Sequence, residues 1–163
     1  MSRRFGLNAA DLEKRFYELS REMHPDRSGG SIERMSALNE AYRTLKDADA
    51  RREYLLRLEG VEVPKGASTA MPMEIPLDIV EAWFEIQEAS PAELGQKIAV
   101  FENELMGIEQ SETQALRGAE TAYDAHPTRE VLEKIAKRVQ SRNYLRSLQR
   151  DVKRMKDGAT DRK

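Results

Sequence analysis

His24, Pro25 and Asp26 stand side by side in this 163-residue chain, an imidazole and a carboxylate separated only by a stiff ring. The chemistry open to such a triplet is recognition. Proline restricts the backbone and lowers the cost of ordering a loop. The flanking His24 and Asp26 are then held out for charge-assisted contacts with a partner surface. The alternative is a solvated turn that proline merely stiffens. Three residues recur by chance, so the setting decides. Nothing else in the chain combines into a catalytic group. There is no cysteine, which removes disulfides, thiolate zinc sites and sulfur nucleophiles together. The two histidines, His24 and His126, are too far apart in sequence to form a ligand motif. Ser28-Gly29-Gly30 follows no strand pattern and so is no phosphate-binding loop, and the carboxylates are scattered. The expectation is a non-enzyme without metal or cofactor.

The elements that hold the triplet are helices. Asn8 with Asp11 three residues on reads as a cap and an acidic first turn. Leu12, Phe16, Leu19 and Met23 recur at spacings of 4, 3 and 4, one apolar helix face. Pro25 ends that helix, because the residue before a proline is pushed out of the helical region. Ser28-Gly29-Gly30-Ser31 is a turn, and Ile32, Met35, Leu38, Ala41, Tyr42 and Leu45 mark the next apolar face. A loop this short predicts an antiparallel pair. A third helix is expected over about Asp49 to Leu58, with Tyr54, Leu55 and Leu58 turned inward. Lys14, Arg15 and Arg21 lie on the first helix, and Arg27 follows the triplet.

Residues 61–76 carry Pro64, Gly66, Ser68, Thr69, Pro72 and Pro76 with little periodicity, and read as a linker. A helix then runs from Leu77 to about Ala89. Ser90-Pro91-Ala92-Glu93 combines a cap, proline at the first helical position and Glu three residues after the cap. Leu94, Ile98, Phe101, Leu105 and Ile108 follow at 4-3-4-3 spacing, a coiled-coil-like seam. This helix is expected to reach Ala125, with Gly107 and Gly118 as weak points, until His126-Pro127 breaks it. The last helix carries Val131, Leu132, Ile135, Val139, Leu145, Leu148, Val152 and Met155. No alternating strand pattern occurs. Charge is segregated: residues 61–128 hold 3 Lys and Arg against 13 Asp and Glu, whereas 129–163 hold 12 against 5. Antiparallel packing of acidic and basic helices would neutralise both; nucleic-acid binding through the basic helix is the alternative. No apolar stretch approaches the ~18 residues that span a bilayer, and Arg3-Arg4 lead into no apolar run, so neither membrane anchoring nor a signal peptide is expected. The default is a cytoplasmic protein.

The order of helical pattern, His24-Pro25-Asp26, Gly-Gly turn, and a second helix ending in Glu40-Ala41-Tyr42-Arg43-Thr44-Leu45-Lys46-Asp47, then Arg51-Arg52-Glu53-Tyr54-Leu55-Leu56, resembles a J-domain. J-domains stimulate ATP hydrolysis by DnaK-type chaperones. The Tyr54-Leu55-Leu56 ending, with Gly60 soon after, is similar to the HscB family, dedicated co-chaperones of iron–sulfur cluster assembly. The resemblance implies that His24, Pro25 and Asp26 engage a DnaK/HscA-type ATPase, with Asp26 pairing to a cationic group on it. It also implies that Lys14, Arg15, Arg21 and Arg27 form a basic face that steers toward an acidic chaperone surface. Two departures stand out. General J-domains often carry Tyr-Lys-Arg-Leu where this chain has Phe16-Tyr17-Glu18-Leu19, which disfavours a general housekeeping partner. HscB-like chains usually have an aromatic residue before the Phe-Gly-Leu seen here as Phe5-Gly6-Leu7, which implies a trimmed first packing helix.

In the second segment, Val80-Glu81-Ala82-Trp83-Phe84-Glu85-Ile86-Gln87-Glu88 resembles the HscB stretch that helps bind an IscU-type scaffold protein. By that match Val80, Phe84, Glu85 and Glu88, with Tyr144 from the last helix, would line the site. The alternative for Val80, Phe84 and Tyr144 is simple core packing. Glu81 stands where an apolar residue is common.

The expected fold is all-α: an N-terminal J-domain over residues 1–60, built from an antiparallel helix pair plus short helices, a linker over 61–76, a C-terminal three-helix client-binding bundle over 77–157, and a disordered tail over 158–163. The implied function is delivery of an IscU-type scaffold to a DnaK/HscA-type chaperone, with a different client, or a silent J-like adaptor, as the alternatives.

Overall fold

The computed structural model describes residues 4–26, 30–63, 72 and 75–160, with side chains to residue 158. Among these residues the secondary structure is six helices and no strand: α1 (Ala9–Met23), α2 (Ile32–Lys46), α3 (Ala48–Leu58), α4 (Leu77–Gln87), α5 (Pro91–Ala125) and α6 (Arg129–Thr160). The all-α expectation therefore holds. The chain divides into two units. One comprises residues up to Glu62 together with Glu120–Thr128; the other comprises Val63–Ala119 and the residues from Arg129 onward.

In the first unit α1 starts where Asn8 accepts from the N–H groups of Ala10 and Asp11, relieving two of the orphan donors of the first turn. Ser31, read only as a turn residue, caps α2 by accepting from the N–H of Arg34 at 3.2 Å. Asp47 does the same for α3 through the N–H of Ala50 at 2.7 Å. α1 and α2 pair along their apolar faces, and Phe16 stacks on Tyr42 with ring centroids 4.2 Å apart. Neither helix has a fully buried residue. Ile32, counted in the apolar face, is 73% exposed. In α3 the inward side chains are Leu55 and Leu56, not Leu58, which is 41% exposed; Tyr54 is half-buried. The physical reason is the shortness of the helix: with apolar residues at three consecutive positions, spacing alone cannot choose the face. Val61, placed in the linker, is buried and donates its N–H to the carbonyl of Leu56 at 2.8 Å.

The rest of this unit is tied by groups far apart in sequence. The Asp124 carboxylate accepts from the N–H groups of Phe5 and Gly6, both at 2.7 Å. Phe5 is buried and meets Tyr123 edge-on at 5.3 Å. Arg51 donates to the Phe5 carbonyl at 3.3 Å. Arg52 is buried, and its guanidinium pairs with Glu120 and Asp49. Burial opposes its charge, but the two carboxylates outweigh burial and raise its pKa.

In the second unit Ile75, Ile79, Ile86, Ile98, Phe101, Leu105, Leu145, Leu148 and Val152 form one buried cluster. Ile75 lies within the stretch read as linker yet is 4% exposed, so the bundle's core begins before α4. Trp83 stacks on Phe101 at 5.7 Å. Of the expected capping box only one half forms: the Glu93 carboxylate reaches back to the Ser90 N–H at 3.4 Å and accepts from the Ser90 hydroxyl at 2.5 Å, while the Glu93 N–H donates to the Ser90 carbonyl at 3.0 Å. α5 runs unbroken through Gly107 and Gly118. α6 continues through Thr160, so residues 158–160, expected in a disordered tail, are helical: hydrogen bonding propagates a formed helix at little cost per added residue even without an apolar face to bury. Residues 161–163, like most of the expected linker, lie outside the described residues. Acidic α5 meets basic α6: Arg138 donates to both oxygens of Glu112 at 3.1 Å, and Lys156 reaches Glu102 at 2.9 Å. As one pair moves forward along α5 the other moves back along α6, the antiparallel arrangement.

Two outcomes follow. Glu120→Ala is expected to destabilise the first unit by about 2 kcal/mol, below the cost of breaking a fully isolated buried pair because Asp49 remains with Arg52. Adding Arg52→Met should recover part of that loss. Hydrogen exchange of the α3 amides measures both. At the α5 start, the Ser90 hydroxyl, then the Ser90 N–H, hold the Glu93 carboxyl below the ordinary range. A folded-state pKa below the unfolded value contributes stability above the unfolded pKa of about 4.3 and loses it as pH falls through the lowered value. Amide protection in the first turn of α5 should therefore decline on acidification below about pH 4, and Glu93→Gln should abolish that dependence.

Candidate partner-binding sites

The first site grows from the end of α1. His24 takes φ −60° and ψ 134°, extended backbone that the following proline enforces. The helix therefore stops at Met23, and Pro25 and Asp26 form a turn. The Asp26 N–H donates to His24 Nδ1 at 3.3 Å, and Nδ1 lies 3.5 Å from Asp26 Oδ2. The local hydrogen bond fixes the imidazole against the turn. The Asp26 side chain is 89% exposed, so its carboxylate faces solvent. Beside it is a shallow cleft of about 390 Å³ lined by Ser20, Arg21, His24, Asp26 and Met35.

Lys14 and Arg21 are exposed and seven residues apart, so they share a face of α1. Tyr17 sits between them and is 57% exposed, an aromatic that the sequence reading did not select. Arg15 is exposed too, but its guanidinium pairs with Glu18 at 3.2 Å. The acidic departure at Glu18 thus offsets part of the basic face. Arg27 lies outside the described residues.

The second set is divided by the structure. Phe84 is 58% exposed, and Glu85 and Glu88 are exposed, so these three present themselves on α4. Glu88 closes that helix, its N–H donating to the carbonyl of Phe84 at 3.2 Å. Glu85 pairs with Lys97 of α5 at 2.9 Å. Val80 and Tyr144 instead pack against the buried cluster, and burial raises the Tyr144 phenol pKa. The structure adds Leu77, 65% exposed, which with Glu81, Phe84 and Glu88 follows the 4-3-4 spacing of one helix face. That spacing was open to inspection once Phe84 was chosen. A groove of about 500 Å³ between α4 and α5 has Val100 and Phe101 among its walls and is rimmed by Asp78, Glu81, Glu85, Glu93 and Glu104.

No group of three or more potential metal ligands occurs among the described residues, and none of their helices is long and apolar enough to cross a membrane.

Comparison with known proteins bears on the whole arrangement. Residues 6–54 match the DnaJ domain family. A helix pair joined through His24-Pro25-Asp26 within such a domain makes this chain a J-domain protein. Over 105 residues it is 32% identical to the co-chaperone protein HscB of Proteus mirabilis, an alignment spanning 57% of this chain and 60% of that relative. Chaperone HscB from Vibrio cholerae shares the fold over 97% of this chain and 94% of its own, with a TM-score of 0.59 at 21% identity. Human co-chaperone protein HscB does so over 95% and 78%, with a TM-score of 0.64 at 23% identity. This chain therefore carries a DnaJ domain, and its fold is the one seen in these HscB structures.

Phe84→Ala is expected to change stability by less than about 0.5 kcal/mol, as for an exposed residue outside the core. Tyr144→Ala should cost about 2 kcal/mol through lost packing. Urea unfolding followed through Trp83 fluorescence separates the two.

Proposed function

We propose that this protein is a cytoplasmic co-chaperone that stimulates a DnaK/HscA-type ATPase through His24, Pro25 and Asp26 and delivers an IscU-type iron–sulfur scaffold protein through its C-terminal helices. The observation that carries the first half is the exposed Asp26 carboxylate on a proline-stiffened turn within a matched DnaJ domain. A carboxylate so placed can accept a charge-assisted hydrogen bond from a cationic partner group without reorganising. Lys14, Arg15 and Arg21, with Arg27, speed encounter with an acidic chaperone surface. The second half rests on the apolar and acidic face of α4, where Phe84 is flanked by Glu85 and Glu88. Joining both sites in one chain raises the effective concentration of client at the chaperone. Hydrolysis then locks the client on and aids cluster transfer. The iron–sulfur cluster is cargo of that client.

A second reading, the same ATPase partner with a different client, draws on Val80 and Tyr144, which serve the core and leave the acidic groove and Phe84 as the accessible surface.

Steady-state ATPase of an HscA-type chaperone, with this protein, the scaffold, or both, tests these readings. Stimulation by both together is expected to exceed the product of the separate stimulations. Asp26→Asn should reduce stimulation about tenfold, the loss of one hydrogen bond to a charged group. Stimulation without synergy points to another client, and no stimulation by any DnaK-type partner overturns the proposal.

A further inference from the structure

We infer that Gly30 is a positioning residue for the His24-Pro25-Asp26 turn. The inference rests on the proposed role of that turn in engaging a chaperone ATPase. Gly30 immediately precedes the α2 cap, Ser31. A Cβ built on Gly30 would lie 1.9 Å from the carbonyl oxygen of His24, 2.6 Å from its carbonyl carbon and 2.9 Å from the carbonyl oxygen of Met23. All three atoms are backbone, so no side chain can swing aside to admit a methyl group. Gly30 does not adopt a positive φ. An L-residue is thus excluded by contact with the turn and not by its own torsion angles.

The atoms in question are those that aim the turn. The His24 carbonyl belongs to the peptide joining His24 to Pro25, and its orientation sets where Pro25 and Asp26 point. Because the imidazole accepts from the Asp26 N–H, moving that peptide also disturbs the contact between the two polar residues. Accommodating a methyl group at Gly30 requires the His24 backbone to retreat by about 1 Å or more, since carbon and oxygen do not approach closer than about 3 Å. A recognition group must be held within about 0.5 Å of its productive position. Gly30 therefore acts through the turn: it lets the chain entering α2 brace the chain leaving α1 at van der Waals contact.

The test is Gly30→Ala in the full chain, read by heteronuclear NMR and by stimulation of a DnaK-type ATPase. The amide signals of His24 and Asp26 should shift while those of α3 and α6 stay in place. Stimulation should fall roughly ten- to a hundredfold, as for a 1 Å misplacement at a reacting site. The wild-type chain should show nuclear Overhauser contacts between the Gly30 Hα protons and His24. Unchanged His24 and Asp26 signals, absent Overhauser contacts in the wild type, or loss of the folded spectrum in Gly30→Ala would each overturn the positioning role. Displaced signals with full stimulation would overturn it as well. If the wild-type chain stimulates no ATPase, the functional reading fails by itself, and the two spectroscopic measurements still decide whether Gly30 positions the turn.

Discussion

The steric clash between a proline ring and the residue before it governs the first unit. It forbids His24 a helical conformation, so α1 must stop at Met23 and the next residue must run extended. From there the chain has one economical course: turn at Pro25-Asp26, pass back across the end of α1 at Gly30, and enter α2 under the Ser31 cap. Phe16 stacks on Tyr42 across the helix pair that this reversal joins. A single backbone restriction thus both ends a helix and leaves a carboxylate exposed beside it, so under the proposed function structural and recognition roles fall on the same three residues.

Electrostatics organises the second unit in a different way. Its charges are sorted by helix, acidic along α4 and α5 and basic along α6, and the Arg138–Glu112 and Lys156–Glu102 pairs match α6 to α5. The exposed Lys156–Glu102 pair adds little stability, whereas Arg138–Glu112 is part-buried and bidentate. Their effect is on register, while the buried cluster around Phe101 supplies cohesion. The acidic α4 has less basic neighbour to match it, Glu85 to Lys97 being its ion pair across to α5. Its carboxylates and exposed Phe84 therefore retain a net negative, partly apolar face. That is a suitable surface for a partner of opposite character.

The helices were legible because their signals are local. The Asn8 cap, the Ser90–Glu93 pairing at the start of α5 and the 4-3 apolar spacing are all local signals, and the helices they announce are present. Long-range placement was not legible. Nothing near Asp124 announces that it will bind the N–H groups of Phe5 and Gly6, more than a hundred residues away. Arg52 reads as one more charge on a basic helix, yet it is buried because Glu120 and Asp49 meet it there. In the site, the turn residues could be identified by type and setting. The split of the α4 set could not: Val80 and Phe84 are four residues apart and equally apolar, and only the position of the other helices makes one a core residue and the other a surface residue.

The contrast between the two units bears on how the turn works. The second unit has nine buried apolar residues in one cluster, whereas α1 and α2 have no fully buried residue between them. A lightly packed helix pair cannot hold a loop still through its core alone. Rigidity must come from the loop's own covalent and steric limits, and those are what the chain has: a proline that fixes one torsion, a glycine that lets two backbones touch, and an imidazole that accepts from the next turn amide. Each reduces the conformational freedom of the turn, so under the proposed function its readiness for recognition depends more on these local constraints than on the stability of the pair that carries it.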